Sequence, residues 1–239
     1  MTTAALWCVL PAAGIGQRMA ADRPKQYLPL QGRTLLEVTL QRLHQAFPAS
    51  PLYIPLHPQD HWWPAAAERL QQHCPNLQLV PVPGGQERAD SVLSALQALE
   101  GLAAADDWVL VHDVARPCVT PTDLHNLWSQ LHHHPVGGLL AAPVADTMKR
   151  SDAQNQVLGT VDRQQLWHAL TPQIFRYGLL KAALQQALQQ GLTITDEASA
   201  LEAAGYQPLL VTGRRDNIKI THPEDLPLAE LLLQSQQQG

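Results

Sequence analysis

The chain has 239 residues, with 16 Lys plus Arg against 21 Asp plus Glu, a formal charge of −5, and 45% hydrophobic against 15% charged residues. That balance is too apolar for a disordered chain and excludes a broad basic face for nucleic acid or anionic lipid, leaving open a local cationic pocket. Cys8, Cys74 and Cys118 form no CxxC pair, no apolar run reaches the roughly 18–20 residues of a membrane span, and the first residues lack a signal peptide's basic and apolar regions; a reduced, cytoplasmic chain with no membrane partner is expected.

Short apolar runs then alternate with helical patterns. Leu6–Leu10 reads as a buried strand stopped by Pro11. Thr34 and Glu37 have capping-box spacing and open a helix carrying Leu35, Leu36, Leu40 and Leu43. Leu52–Leu56 is a second strand, placed near an edge because Pro55 has no N–H. A helix over Ala65–His73, a strand over Leu77–Val82, a helix over Glu87–Leu99 and a strand over Trp108–His112 follow. Thr120-Pro121 starts another helix, and Val136–Ala142 is a fifth strand. This alternation predicts an α/β fold, a Rossmann-like, mostly parallel sheet with helices on both faces. Residues 143–172 break the rhythm and read as an excursion, a protruding β-arm. Helical pattern returns from Phe175 to Gln189 and from Thr195 to near Gly205. Gln207–Thr212 and Asn217–Thr221 look like strands, Pro223–Gln234 is a last helix, and Ser235–Gly239 is expected to fray. His132–His134 reads as a solvated helix end, with no second ligand group at metal spacing.

Ligands of such sheets bind beyond the carboxyl ends of the strands, so the segments after Leu10, Val82 and His112 carry the information. The first runs from Pro11-Ala12-Ala13-Gly14 through Gly16, Arg18 and Met19 to Pro24-Lys25-Gln26. Gly14 and Gly16 expose backbone N–H groups to an anion, and Arg18 and Lys25 can add charge-assisted contacts to phosphate. Met19 breaks the dinucleotide fingerprint, and Ala21-Asp22 stand where a GxxxxGK[ST] loop needs Gly-Lys. The second segment, Gly84 to Ser91, bares backbone at a helix start and puts Arg88 and Ser91 on one face. It reads equally as a base-recognising turn or as an ordinary helix start. In the third, His112 to Pro117, Asp113 ends a strand where a carboxylate can hold Mg²⁺ against phosphates, and Arg116 can hold a second anion.

Together these segments resemble the cytidylyltransferases that make 4-diphosphocytidyl-2-C-methyl-D-erythritol. The shared blocks are PAAGxGxRM with PKQYL, GGxxRxDSV, HDxARP, residues 142–149, 160–163, 166–173 and 195–198, and Asp216–Thr221. The resemblance covers essentially the whole chain and implies a single nucleotidyltransferase domain over 1–239. It implies transfer of CMP from CTP to 2-C-methyl-D-erythritol 4-phosphate with Mg²⁺ or another divalent cation, in non-mevalonate isoprenoid precursor synthesis. It implies that Pro11, Ala12, Ala13, Gly14 and Gly16 cradle the triphosphate, that Arg18 and Lys25 stabilise charge on the reacting phosphate, and that Gly85, Gln86, Arg88 and Ser91 hold cytosine and ribose. Asp113 then lies by metal and phosphates, and Arg116, Thr147, Arg163, Thr171, Thr195 and Lys219 surround the acceptor. Arg163 and Lys219, counted with Arg18 and Lys25 as catalytic, position that acceptor. The excursion 143–172 becomes a dimerisation arm that helps complete the partner's site in a homodimer. Gln86 replaces a frequent acidic residue and Val114 a common alanine, and no fused synthase domain is expected beyond Gln234.

The acceptor phosphate would attack the α-phosphorus in line, expelling pyrophosphate. With a second pKa of about 6 it is already mostly dianionic at neutral pH and needs no general base. His112 and His168 are therefore read as structural. The burden is bringing two anions together, which cations must offset. A ribitol 5-phosphate cytidylyltransferase shares the nucleotide half, and only the Thr147–Thr195 and Lys219 blocks argue against it. A silent nucleotide-binding module is disfavoured by the presence of Arg18, Lys25 and Asp113, and a dehydrogenase by the broken fingerprint.

Overall fold

In the computed structural model, which describes residues 4–14 and 22–238, Leu6–Val9 (β1) lies inside a seven-stranded sheet. A 3₁₀ turn, Lys25–Tyr27, leads to a small hairpin of Pro29–Leu30 (β2) and Arg33–Thr34 (β3). Next come helix Leu35–Ala46 (α1), strand Leu52–Leu56 (β4), helix Trp63–His73 (α2), strand Leu79–Pro83 (β5), helix Arg88–Ala98 (α3) and strand Trp108–Val111 (β6). Helix Pro121–Leu131 (α4), strand Gly137–Pro143 (β7), the short strands Met148–Ser151 (β8) and Val157–Val161 (β9), and strand Trp167–Arg176 (β10) follow. Helices Tyr177–Gln189 (α5) and Glu197–Ala203 (α6), strand Leu209–Thr212 (β11) and helix Asp225–Gln238 (α7) complete the chain.

The sheet order is β11-β7-β10-β6-β1-β4-β5, parallel throughout except β10, which is antiparallel to both neighbours. Alternate residues of each strand feed two cores. Cys8, Leu10, Ile54 and Leu110 pack under α1, α2 and α4, whereas Val9, Tyr53, Val109 and Val111 pack under α3, α5 and α6. The expected cap is present: Thr34 accepts from Glu37 N–H, and the Glu37 carboxylate accepts from Thr34 N–H at 2.7 Å. Thr120 likewise caps α4 by accepting from Asp123 N–H.

Four expectations change. β4 is not at the edge; β5 covers it, and Pro55 takes part in the ladder through its carbonyl, which accepts from Ala12 N–H at 2.9 Å. The strand β10, which the sequence reading divides between the excursion up to residue 172 and a helix from Phe175, fills the centre of the sheet, with a register shift between Ala169 and Gln173. Residues 217–221 form no strand; their polar groups serve the site, with Ile220 N–H donating to Ala115 O and Asn217 Nδ2 to Thr171 O. Finally, α7 runs through Gln238 instead of fraying, because Gln236 donates to Cys118 O and accepts from Arg42.

The excursion leaves on β7 and returns on β10, where Trp167 pairs with Pro143. Between them β8 and β9 form a separate antiparallel ladder, with Val157 63% and Leu158 65% exposed. The histidines after α4 spend ring nitrogens locally: His132 on Trp128 O, and His134 on the N–H groups of Val136 and Gly137.

Candidate active site

The chain steps from β1 outward to β4 and β5, then returns to place β6 on the other side of β1. The loops leaving β1 and β6 therefore diverge and open a crevice at the carboxyl ends of the strands. A cavity of about 600 Å³ lies there, lined by Pro11–Gly14, Lys25, Gly85–Arg88, Ser91, Asp113 and Lys219 among others. Most of the nucleotide-side residues picked from sequence thus come together. Gly16 and Arg18 lie outside the described residues.

The walls are held by short-range devices. Gln26 Nε2 donates to Ala12 O at 2.7 Å and fixes the first loop against the 3₁₀ turn. That turn presents Lys25, whose Nζ donates to Ile220 O at 3.1 Å. A side chain on Gly84 would collide with Ala13, and one on Gly85 with Asp90, so glycine lets the β5–α3 turn close against both the first loop and its own helix. Ser91 Oγ accepts from Gly85 N–H and donates to Glu87 O, shaping that turn from within.

Asp113 is the electrostatic centre. Its Oδ1 accepts from Arg88 Nε at 2.9 Å, and its Oδ2 lies 2.7 Å from Lys219 Nζ and 3.8 Å from Arg116 Nε. Burial acts to raise its pKa, but Arg88, Lys219 and Arg116 outweigh burial and hold the carboxyl well below the usual range. Arg88 also forks onto Glu197, at 2.6 and 3.0 Å, and Glu197 is only 1% exposed. The Arg88 guanidinium, expected at cytosine and ribose, is here turned to two carboxylates and orients Asp113.

Glu197 was missed from sequence. An acid in the first turn of a helix reads as a dipole complement, and only the fold brings it beneath Arg88.

Behind Asp113 runs a chain of buried hydrogen bonds. Asp113 N–H donates to Thr171 Oγ1, which is paired with His112 Nδ1 at 3.0 Å, and His112 Nε2 faces Arg116 O at 3.0 Å. The network assigns the neutral tautomer with its proton on Nε2. Thr171 therefore supports the loop and does not line the cavity, and Arg116 NH1 donates to Asn217 O. Burial, aided by Arg116 and Arg88, pushes His112 down to about 4. An unfolded histidine takes up its proton near pH 6.5, so from about 6.5 to about 4 the unfolded chain binds more protons and stability falls as pH falls. His112→Gln is expected to flatten that part of a melting-temperature profile; an unchanged slope would assign it to other groups.

The acceptor side is less assembled. Lys219 lines the cavity, and Thr195 immediately precedes Asp196, the N-cap of α6 that accepts from Gln173. Thr147 and Arg163 flank the β8–β9 ladder, are exposed, and are not among the lining residues; the Arg163 guanidinium donates to Ala145 O.

A profile of the 2-C-methyl-D-erythritol 4-phosphate cytidylyltransferase family matches residues 6–235. The enzyme of that name from Hahella chejuensis is 54% identical over 228 residues, covering 95% of this chain and 92% of its own. That from Chromohalobacter salexigens is 54% identical over 233 residues, with 95% and 89% covered. A crystal structure of 4-diphosphocytidyl-2C-methyl-D-erythritol synthase superposes with a TM-score of 0.82 at 37% identity, covering 98% of this chain and 100% of that one.

Proposed function

The chain belongs to the 2-C-methyl-D-erythritol 4-phosphate cytidylyltransferase family, and on that premise we propose how its residues divide the work. The reaction transfers CMP from CTP to 2-C-methyl-D-erythritol 4-phosphate, giving 4-diphosphocytidyl-2-C-methyl-D-erythritol and pyrophosphate in isoprenoid precursor synthesis.

The cavity at the β1–β6 switch point carries the reading. Pro11–Gly14, extended by Gly16, cradle the triphosphate, the N–H groups for it coming from Ala13 onward because Pro11 has none and that of Ala12 donates to Pro55 O. Gly85, Gln86 and Ser91 form the cytidine wall, where Gln86 serves through its backbone and Val114 narrows the opposite side. Lys25 and Arg18 stabilise charge developing on the α-phosphate and pyrophosphate. Lys219, with Arg163, Thr147 and Thr195, holds the acceptor, while Arg116 and Thr171 brace Asp113.

Mg²⁺ fits this donor set. The ion takes one or two carboxylates and completes its shell with water and substrate phosphates. Asp113 is an ionised carboxylate beside the phosphate cradle, whereas Glu197 is committed to Arg88. Asp113 would hold the ion, which when bound neutralises charge on the nucleotide phosphates. Lys219 is half-exposed and so can leave Asp113 for the acceptor phosphate.

The exposed Val157 and Leu158 support burial of the β8–β9 ladder against a second copy. In such a homodimer Arg163 reaches the partner's cavity. Unpaired Cys8, Cys74 and Cys118 support a reducing, cytoplasmic setting, and the negative net charge supports small anionic substrates rather than nucleic acid. No helix among the described residues is long and apolar enough to cross a membrane.

Arg163→Ala should raise the acceptor KM with little change in the CTP KM. Mixing it with Lys25→Ala should restore part of the activity, because one cavity of the heterodimer keeps both residues intact. A change in the CTP KM alone would break the assignment of Arg163. No recovery with heterodimers verified would remove the crossing arm.

A further inference from the structure

A second cleft lies between α1 and α7, away from the catalytic cavity. It measures about 360 Å³ and is lined by Gln31, Arg33, Gln41, Arg42, Gln45 and Gln237 above a floor of Val38 and Leu233. Two guanidinium groups and four amides face one space, and no lining residue is acidic. In a chain of net charge −5 this is a local inversion of sign. Among the described residues, both arginines donate to glutamine side chains and not to carboxylates: Arg42 NH2 to Gln236 Oε1 at 2.9 Å, and Arg33 NH1 to Gln41 Oε1. Arg42 is partly buried, and burial acts against its charge. A desolvated guanidinium whose partner is a neutral amide retains most of its capacity to bind an anion.

The β2–β3 hairpin turn closes one end of the cleft. Gln31 sits at φ +52° in the two-residue turn of the β2–β3 hairpin, a left-handed conformation that Asn or Gly adopts more readily. Its amide is engaged with Glu230 O at 3.2 Å and with Gln237 at 3.3 Å, at the rim of the cleft.

We propose that this cleft is an anion site that takes the phosphate group of a small organic phosphate, with Arg33 and Arg42 on the phosphate and the glutamine amides on its polar remainder. Its volume is at the lower end for small-molecule pockets and suits a phosphorylated metabolite better than a nucleotide. The two walls continue to the catalytic cavity. Leu35 of α1 lines that cavity and Thr39 donates to Val114 O at 2.7 Å, while α7 starts just after Lys219 and Ile220. A ligand bridging α1 and α7 therefore braces two elements that border the reaction.

The test saturates the catalytic cavity with 4-diphosphocytidyl-2-C-methyl-D-erythritol and then titrates inorganic phosphate and glycerol 3-phosphate calorimetrically, with glycerol as the neutral control. The product leaves the pyrophosphate end of the cradle open, and binding there is shared by wild type and variants; beyond it one site is expected, tighter for glycerol 3-phosphate than for phosphate and absent for glycerol. Arg42→Gln should weaken it about tenfold or more, as loss of one charge-assisted contact does, with kcat and both KM values unchanged. Arg33→Gln, at an exposed position, should weaken it too and guards against a folding defect in the first variant. No residual binding on the saturated protein, or equal binding by wild type and both variants, overturns the proposal. Equal affinity for the two phosphates overturns recognition of an organic phosphate and leaves a simple oxyanion site. A loss of thermal stability in Arg42→Gln without any change in phosphate affinity would show that Arg42 only anchors α7.

Discussion

Lys25→Ala should lower kcat by about 10²–10³, equivalent to roughly 3–4 kcal/mol of lost transition-state stabilisation, with the fold intact. The 3₁₀ turn that carries Lys25 does not depend on its ammonium. Gln26 holds the turn to Ala12 O, Tyr27 OH donates to Asp60 at 2.9 Å, and the backbone closes through Tyr27 N–H to Pro24 O. Removing the ammonium therefore removes charge from the phosphate-facing wall without removing the wall. Charge on the α-phosphate and the departing pyrophosphate grows as the bond breaks, so the loss should fall on kcat more than on the CTP KM. A second consequence separates this role from simple tethering. Lys25 also binds Ile220 O, next to Lys219. Were that tether its main contribution, the acceptor KM would rise while kcat held. Steady-state pyrophosphate release with each substrate varied in turn distinguishes the two, and a folded variant with unchanged kcat would remove Lys25 from the chemical step.

How much of this was legible beforehand follows from where each signal lies. The helix starts at Thr34 and Thr120 were readable because their caps lie within four residues of sequence. The loops after β1 and β6 were readable as ligand-facing because strand order in an open sheet dictates it. β10 was not, because an antiparallel strand inserted between parallel ones carries Pro172 and a register shift that blur its period. The ordered end of α7 was invisible because Gln236 finds Cys118 and Arg42 more than a hundred residues away. Glu197 failed for the same reason: its partner Arg88 is 109 positions distant. Lys219 and Arg163 were reached through family resemblance alone, and only Lys219 lines the cavity.

Asp113→Asn should cost more than activity. The carboxylate is 8% exposed and answers three cations, of which Arg88 and Arg116 are themselves largely buried and Lys219 is 41% exposed. An amide of the same shape leaves those cations facing a neutral oxygen and an N–H group. Breaking a buried ion pair by removing one partner costs about 3–5 kcal/mol, and the exposure of Lys219 places this case near the lower end, about 3 kcal/mol. For a chain of this size each kcal/mol moves the melting temperature by about 2–4 °C, so a drop of roughly 6–12 °C is expected. Its pH dependence is diagnostic. The folded carboxyl titrates well below its unfolded value of about 3.9, so its contribution is full above that value and is lost as the pH falls further towards the folded value. The gap between wild type and variant should therefore stay constant from neutral pH down to about 4 and narrow only in stronger acid. A gap that closes already between pH 7 and 5 would place the stabilisation on histidine instead. The same substitution should raise the Mg²⁺ concentration needed for half-maximal pyrophosphate release, a readout that a purely structural role for Asp113 would leave in place. A variant that melts early but keeps the wild-type Mg²⁺ dependence would confine Asp113 to bracing Arg88 and Lys219, and the divalent ion would have to be held by the substrate phosphates alone.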